Sequence, residues 1–251
     1  MIAPGTTEAV VLCAGAGKRL APLTDRIPKV LVPVGGEPLL GHHLSALRSV
    51  GIRRAVLVVG HTSSAVREFL GSRSNFGLEI KYCEQPEPLG TGDAVRRGAA
   101  MVGSDPFLVV YADVFSPSLA DVFGRLLVSS EPKIAVARVE DTSEYGRIEG
   151  GPGPEGPFLV RIVEKDGRHV PGLVNAGLYL LTRSIETPLN RLSPSRRGEI
   201  ELPEALEREI ESGVRFRIVE IGDWIDVGNL ERLARAESWQ RSRGGRLPTT
   251  P

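Results

Sequence analysis

Apolar residues in this chain fall into short solid runs separated by segments where they recur every three or four positions. The runs are Ala9–Cys13, Ala55–Val59, Phe107–Tyr111 and Ile134–Val139, and Glu79–Cys83 reads as a short strand in which Ile80 and Tyr82 alternate with polar residues. Their β-branched and aromatic content predicts strands buried on both faces. Between them, Pro38–Val50 places Leu39, Leu40, His43, Leu44 and Leu47 on one face, and Ser63–Leu70, Asp93–Met101 and Leu119–Ser129 also read as helices. Strand and helix in succession predict an α/β fold, a doubly wound sheet with right-handed crossovers. The pattern then changes. A Gly- and Pro-rich hairpin at Gly150–Pro157 is followed by strands at Phe158–Lys165, Leu173–Leu181 and Phe216–Ile221, and helices at Glu199–Ser212 and Leu230–Ser238. One domain over residues 1–240 is expected, with a first half at about 8–140, a β-rich second half at about 141–228, and a frayed basic tail at 241–251.

The first run ends in Ala14-Gly15-Ala16-Gly17, where small residues allow a sharp bend and close approach of a ligand. Lys18, Arg19 and, after Pro28, Lys29 supply cations, and a strand feeding such a turn is a physical basis for holding phosphates. Two phosphate motifs are excluded. A Walker A loop needs glycine at position 12 and Ser or Thr after Lys18, where Leu12 and Arg19 stand, and a dinucleotide fingerprint needs glycine where Leu20 stands. The glycines alone describe only a strand-to-helix turn.

Two further loops follow strand ends, where open α/β sheets bind ligands. In Glu84–Ala94, Pro86, Pro88, Gly90 and Gly92 predict irregular backbone, and Gln85 offers one donor and one acceptor side, suited to an imide edge of a pyrimidine or the edge of guanine. Asp113 ends the most hydrophobic strand. It reads either as a helix cap or as a carboxylate able to hold phosphate-bound Mg²⁺.

Composition narrows the classes of function. Apolar and charged fractions of 41% and 25% are ordinary for a globular protein. The 251 residues carry 31 basic and 31 acidic side chains, so no global field draws in nucleic acid or an anionic membrane. No apolar run reaches the roughly 20 residues of a membrane span, and no basic leader opens the chain. The two cysteines, Cys13 and Cys83, lie in predicted strands, which suits buried thiols in a reducing cytoplasm. Four scattered histidines give no zinc pattern.

Taken in order, G-x-G-x-R-L-x-P-L-T from Gly15, Pro28-Lys29, Q-x-P-x-x-L-G-T-G from Gln85, Ala112-Asp113, Tyr145-Gly146, Glu164-Lys165, Asn175-Ala176-Gly177 and Trp224-Ile225-Asp226-Val227-Gly228 resemble the signature of the sugar-phosphate nucleotidylyltransferases. The resemblance covers roughly positions 8–235. It departs at Ala112, commonly glycine in that family, and at Asp166, commonly proline. It implies a Rossmann-like mixed sheet of the nucleotide-diphospho-sugar transferase type with an inserted β-rich sugar-binding portion. It also implies a Mg²⁺-dependent reaction of an NTP with a sugar 1-phosphate to give an NDP-sugar and pyrophosphate. By the same resemblance, Leu12, Ala14, Gly15, Gly17, Lys18, Gln85, Gly90 and Thr91 bind the nucleotide, and Arg19, Lys29 and Lys165 act on phosphates. Tyr145, Gly146, Glu164, Lys165 and Asn175 hold the sugar phosphate, and Asp113 and Asp226 hold the metal. Two carboxylates brought together without metal are expected to raise each other's pKa. The Gln85 loop favours dTTP or UTP, with glucose 1-phosphate as partner; a GTP-using mannose or heptose 1-phosphate enzyme, a cytidylyltransferase, and a non-catalytic nucleotide-sugar-binding subunit are the alternatives. No hexapeptide-repeat segment follows the motifs, which argues against the bifunctional acetyltransferase branch. The resemblance admits a homo-oligomer.

Overall fold

Five residues, Glu8–Leu12, form the strand around which the sheet is built (β1). Its side chains alternate between faces, and Val10 and Val11 are both fully buried because helices cover the two sides. The other long strands are β2 (Arg54–Val59), β3 (Glu79–Glu84), β4 (Phe107–Tyr111), β5 (Lys133–Val139), β6 (Gly146–Gly151), β7 (Phe158–Glu164), β8 (Gly172–Leu181) and β9 (Arg217–Ile221). The helices are α1 (Leu39–Ser49), α2 (Ser63–Gly71), α3 (Thr91–Ala99), α4 (Leu119–Leu126), α5 (Glu186–Arg191), α6 (Leu202–Glu211) and α7 (Leu230–Ser242). This computed structural model describes residues 7–242 except 16, 26, 62, 155, 196 and 197, and omits the Lys18 side chain. The expected phosphate contact of Lys18 and the tail from 243 onward therefore lie outside the described residues.

All nine strands share one mixed sheet in the order β3-β2-β1-β4-β8-β5-β9-β7-β6. The first four run parallel, as expected of β-α units. β8 then enters antiparallel to both β4 and β5, and β6 closes back on it at Val174 and Arg147. One face of the sheet packs Val11, Leu57 and Val110 against Leu40, Leu44 and Leu47 of α1, Val66 and Leu70 of α2, and Val122 and Phe123 of α4. The other face packs Val10, Val56 and Val109 against Val95 and Ala99 of α3, Leu189 of α5 and Leu206 of α6. Each fully buried Leu or Phe contributes roughly 1.5–3 kcal/mol, so these two layers fix the strand order. The described chain has no helix long and apolar enough to cross a membrane.

α7 runs to Ser242, past the expected end at Ser238 and into the first two residues of the expected tail, and three further element boundaries depart from expectation for local reasons. α3 begins at Thr91 rather than Asp93, and Gly92 lies inside it. That glycine serves close packing, since a Cβ there would stand 2.9 Å from Ile200 O, an atom already accepting the Gly92 N–H at 2.8 Å. α4 stops at Leu126 because the Lys133 ammonium donates to Leu126 O and Ser129 O at 2.9 and 2.8 Å, satisfying carbonyls at the helix end. α6 starts at Leu202, after Glu199–Glu201 has run past α3.

Candidate active site

The expected motifs meet at the carboxyl ends of β1 and β4, where the strand order reverses and open sheets form their ligand crevice. Directly after β1 the loop is tightly seated. Gly17 has φ +64 and a Cβ on it would stand 2.8 Å from Lys29 Cβ, so glycine is required twice over. Thr24 Oγ1 donates to Gly17 O at 2.9 Å, tying the far end of the motif to its turn. Gly15 is different: it is exposed and a Cβ there would meet nothing within 4 Å. Open space beside its backbone suits the approach of a ligand. Leu12 and Ala14, half-buried, border the same turn.

Beneath this loop Lys29, only 7% exposed, stands between two carboxylates. Its Nζ donates to Asp113 Oδ2 at 2.7 Å and lies 3.5 Å from Asp226 Oδ1. The two aspartates are joined by a ladder that sequence spacing could not reveal: Ile225-Asp226 pairs antiparallel with Val114-Phe115, and Val227 N–H donates to Asp113 O at 3.0 Å. His43 secures the Asp113 side from behind, its buried ring donating from Nε2 to Val114 O at 2.8 Å.

Charge is unevenly shared in this cluster. Burial depresses the Lys29 pKa, but Asp113 and Asp226 outweigh it and hold the ammonium above its usual range. Burial pushes Asp113 up, and its close contact with Lys29 outweighs that, leaving it below the ordinary carboxylate range. For Asp226, burial and the Asp113 charge prevail over Lys29, Arg232 and Arg19, and its pKa is raised. The expectation that both carboxyls rise therefore holds for Asp226 and fails for Asp113, because an ammonium sits between them and much closer to one. Among the described residues no group of three or more His, Cys, Asp or Glu forms a metal cluster. Two hard oxygen donors, with Asp226 Oδ1 buried and accepting no hydrogen bond, nonetheless fit Mg²⁺, which commonly takes one or two carboxylates and completes its shell with phosphate and water.

A cavity of about 260 Å³ opens above this cluster. It gathers Arg19, Thr91, Asp113, Tyr145, Gly146, Glu164, Lys165, Asn175 and Asp226, nine of the residues singled out in the sequence. β8 shapes its floor by bending at Gly177, where φ is +75 and a Cβ would strike the Tyr111 ring at 2.9 Å. Asn175 Oδ1 accepts from Gly177 N–H at 3.1 Å and Tyr179 OH at 2.8 Å, which holds the bend and leaves the amide NH₂ group for the cavity side. Gly146 is small because a Cβ would stand 2.6 Å from Glu164 Oε1. Lys165 has φ +30, a left-handed conformation costing about 1–3 kcal/mol for a side chain of this kind. Asp166 does not compete for it. The Asp166 carboxylate instead meets Arg147 Nη2 at 3.1 Å and the Arg168 N–H at 3.0 Å.

Gln85 and Gly90 do not line this cavity; they lie beyond it at the end of β3. Both donors of the Gln85 amide are taken, by Gly90 O at 3.0 Å and Asp93 Oδ2 at 2.9 Å. The expected two-sided edge is thus reduced to one acceptor, Oε1. Asp93, fully buried and paired with Arg96 and Arg97, was not anticipated. Nor was Arg232, whose guanidinium meets Asp226 Oδ2 at 3.1 Å, pairs with Glu144 and lies over the Tyr145 ring. No sequence signal marks it. Trp224 has a structural task within its motif: its Nε1 donates to Ala176 O at 3.0 Å and its ring meets Tyr145, joining the two sides of the cavity.

A model of the nucleotidyl transferase family matches residues 8–242. The bifunctional protein GlmU of Methanococcus maripaludis strain C5 is 33% identical over 225 residues, which is 88% of this chain and 51% of that protein. The glucose-1-phosphate thymidylyltransferase of Streptomyces antibioticus is 32% identical over 227 residues, 89% of this chain and 63% of that protein. The chain thus spans about half the length of the first of these curated relatives and under two thirds of the second. In fold it is similar to UDP-glucose pyrophosphorylase complexed with UDP-glucose, with a TM-score of 0.80 at 24% identity over 95% of this chain and 99% of that one.

Proposed function

The chain belongs to the nucleotidyl transferase family, and from that membership we propose that it condenses an NTP with a sugar 1-phosphate, releasing pyrophosphate. The observation that carries this reading is the convergence of Arg19, Lys165, Asp113 and Asp226 on one cavity, with Lys29 beneath it.

A sugar phosphate is largely dianionic at neutral pH, its second pKa lying near ~6, so no side chain has to remove a proton. The barrier is repulsion between two anions and their alignment for in-line attack at the α-phosphorus, so positioning and neutralisation carry the catalysis. Lys29, kept charged by its aspartates, meets the α-phosphate. Arg19 stabilises charge building on the pyrophosphate leaving group. Lys165 holds the sugar's phosphate, while Tyr145, Gly146, Glu164 and Asn175 surround the sugar. Asp113 and Asp226 would hold Mg²⁺, which when bound neutralises phosphate charge. Leu12, Ala14, Gly15, Gly17 and Lys18 wrap the triphosphate, and Gln85, Gly90 and Thr91 face the base.

The donor in this proposal is dTTP or UTP and the acceptor glucose 1-phosphate, in line with the name of the Streptomyces relative. The single acceptor left on Gln85 suits the ring N–H of thymine or uracil. It suits guanine N1–H as well, and this favours a GTP-using enzyme as the second reading. Single-domain organisation with nucleotide and sugar halves, and a cytoplasmic setting, belong to the same proposal; the two free thiols support the latter. A pyrophosphate-release screen over five NTPs and a panel of sugar 1-phosphates tests all of this. Turnover with dTTP or UTP is expected. Preference for GTP selects the second reading, and no release with any pair leaves a binding subunit.

A further inference from the structure

Lys165 carries a substrate contact in the reading above, yet its backbone lies in the left-handed region, φ +30. A non-glycine residue persists there only when its surroundings over-determine it. The turn that follows, with Gly167 at φ +72, offers little packing of its own. Lys165 N–H donates to Tyr145 O at 3.3 Å, and a second restraint comes from the next side chain. Asp166 Oδ1 accepts the Arg168 N–H at 3.0 Å, and Oδ2 accepts from Arg147 Nη2 at 3.1 Å.

Arg147 is itself fixed. Its Nη1 donates to Glu149 Oε1 at 3.0 Å, and its backbone pairs with Val163 of β7 and Val174 of β8, neighbours of Lys165 and Asn175. The Arg147 and Asp166 side chains are 19% and 20% exposed, and their pair lies at the solvent-facing edge of the turn. Arg147 also keeps its Nε buried without a partner, a cost that a purely solvating arginine would shed. Neither residue lines the cavity.

We propose that Arg147 and Asp166 are positioning residues whose ion pair locks the Lys165 backbone in its left-handed conformation, keeping the Lys165 side chain in the cavity wall. This rests on Lys165 holding the sugar's phosphate, as read above. Release of the pair lets the turn relax to negative φ and re-aims the lysine.

The test measures kcat and KM by pyrophosphate release with glucose 1-phosphate, or whichever sugar 1-phosphate the screen returns. The variants are Arg147→Met, Asp166→Asn, Lys165→Ala and the two doubles with Lys165→Ala. Loss of a charge-assisted contact predicts that each positioning variant raises the sugar-phosphate KM about tenfold, with the NTP KM changed less than about twofold. In the Lys165→Ala background neither adds more than about twofold, because the side chain being aimed is gone. Arg147→Lys recovers part of the loss. Wild-type KM in both single variants overturns the proposal, as does a further tenfold loss on top of Lys165→Ala, which would mean a separate structural role. If Lys165→Ala itself leaves KM unchanged, the phosphate role of Lys165 falls and the proposal with it; if only that variant is impaired, the positioning alone falls. Should Arg147→Met not fold, Asp166→Asn decides.

Discussion

Asp226 stands directly opposite Val114, the residue after Asp113, in a ladder only two residues long. This short pairing, more than either long strand, brings a carboxylate from the end of the chain to the tip of β4. Lys29 then reads both, at 2.7 and 3.5 Å.

The first prediction follows from that pair of carboxylates and the Mg²⁺ they would hold. Asp113→Asn and Asp226→Asn are each expected to remove most turnover while leaving a cooperative thermal melt. Because both would act on one ion, the double variant should lose little more than the worse single one. Additive losses would assign the two residues separate jobs, and full activity in excess EDTA would remove the metal from the account.

Gly228 is a more selective probe of the same place. A Cβ there would stand 3.0 Å from Asp226 Oδ2 and 3.1 Å from Arg19 Nη2, both side-chain atoms of the site rather than core packing. Gly228→Ala should therefore displace Arg19 and Asp226 and lower kcat by tenfold or more, with about 1 kcal/mol or less lost in urea unfolding. A variant with normal kcat would show that neither side chain needs its present position.

Stability should depend on pH through His43. Burial lowers its pKa to about 4 in the folded protein, against the usual 6.5, because the charged ring cannot be solvated there. The unfolded chain then binds a proton that the folded one refuses between those values. The contribution is complete above pH 6.5 and is lost as pH falls towards 4, amounting to about 3 kcal/mol. Urea unfolding across pH 4–7 should show this slope, and His43→Gln, which keeps a donor for Val114 O, should flatten it. An unchanged slope would assign the acid sensitivity to other groups.

Asp93 is expected to govern how Gln85 presents itself. Asp93→Ala removes the acceptor that fixes the amide and leaves Arg96 and Arg97 without their shared partner, costing about 1–3 kcal/mol of stability. The amide can then turn over. The KM for the preferred NTP should rise while discrimination between nucleobases weakens. Unaltered base preference would mean that Gln85 is not the reader.

Much of this was legible in the sequence for a simple reason. β1, β2, β4 and the helices around them are local patterns, solid or periodic, and the motifs sit at strand ends where ligands bind. The residues that escaped notice act across distance. Nothing near Arg232 in the chain announces Glu144 and Asp226 as its partners, and Asp93 reads as an ordinary first-turn acid until its burial is seen. The pKa of Asp113 departs from expectation for the same cause: two adjacent carboxylates alone would both rise, and the fold inserts a lysine between them.

The place of β8 has a consequence for how the molecule comes apart. It is hydrogen-bonded to β4 on one edge and β5 on the other, while its Asn175–Gly177 bend forms the floor of the cavity. The floor of the cavity is thus an interior strand of the sheet whose β1 and β4 ends carry Gly17 and Asp113. Backbone amides of β4 and β8 should exchange with deuterium through the same opening event, in a single foldon, and neither half should melt while its companion stays intact.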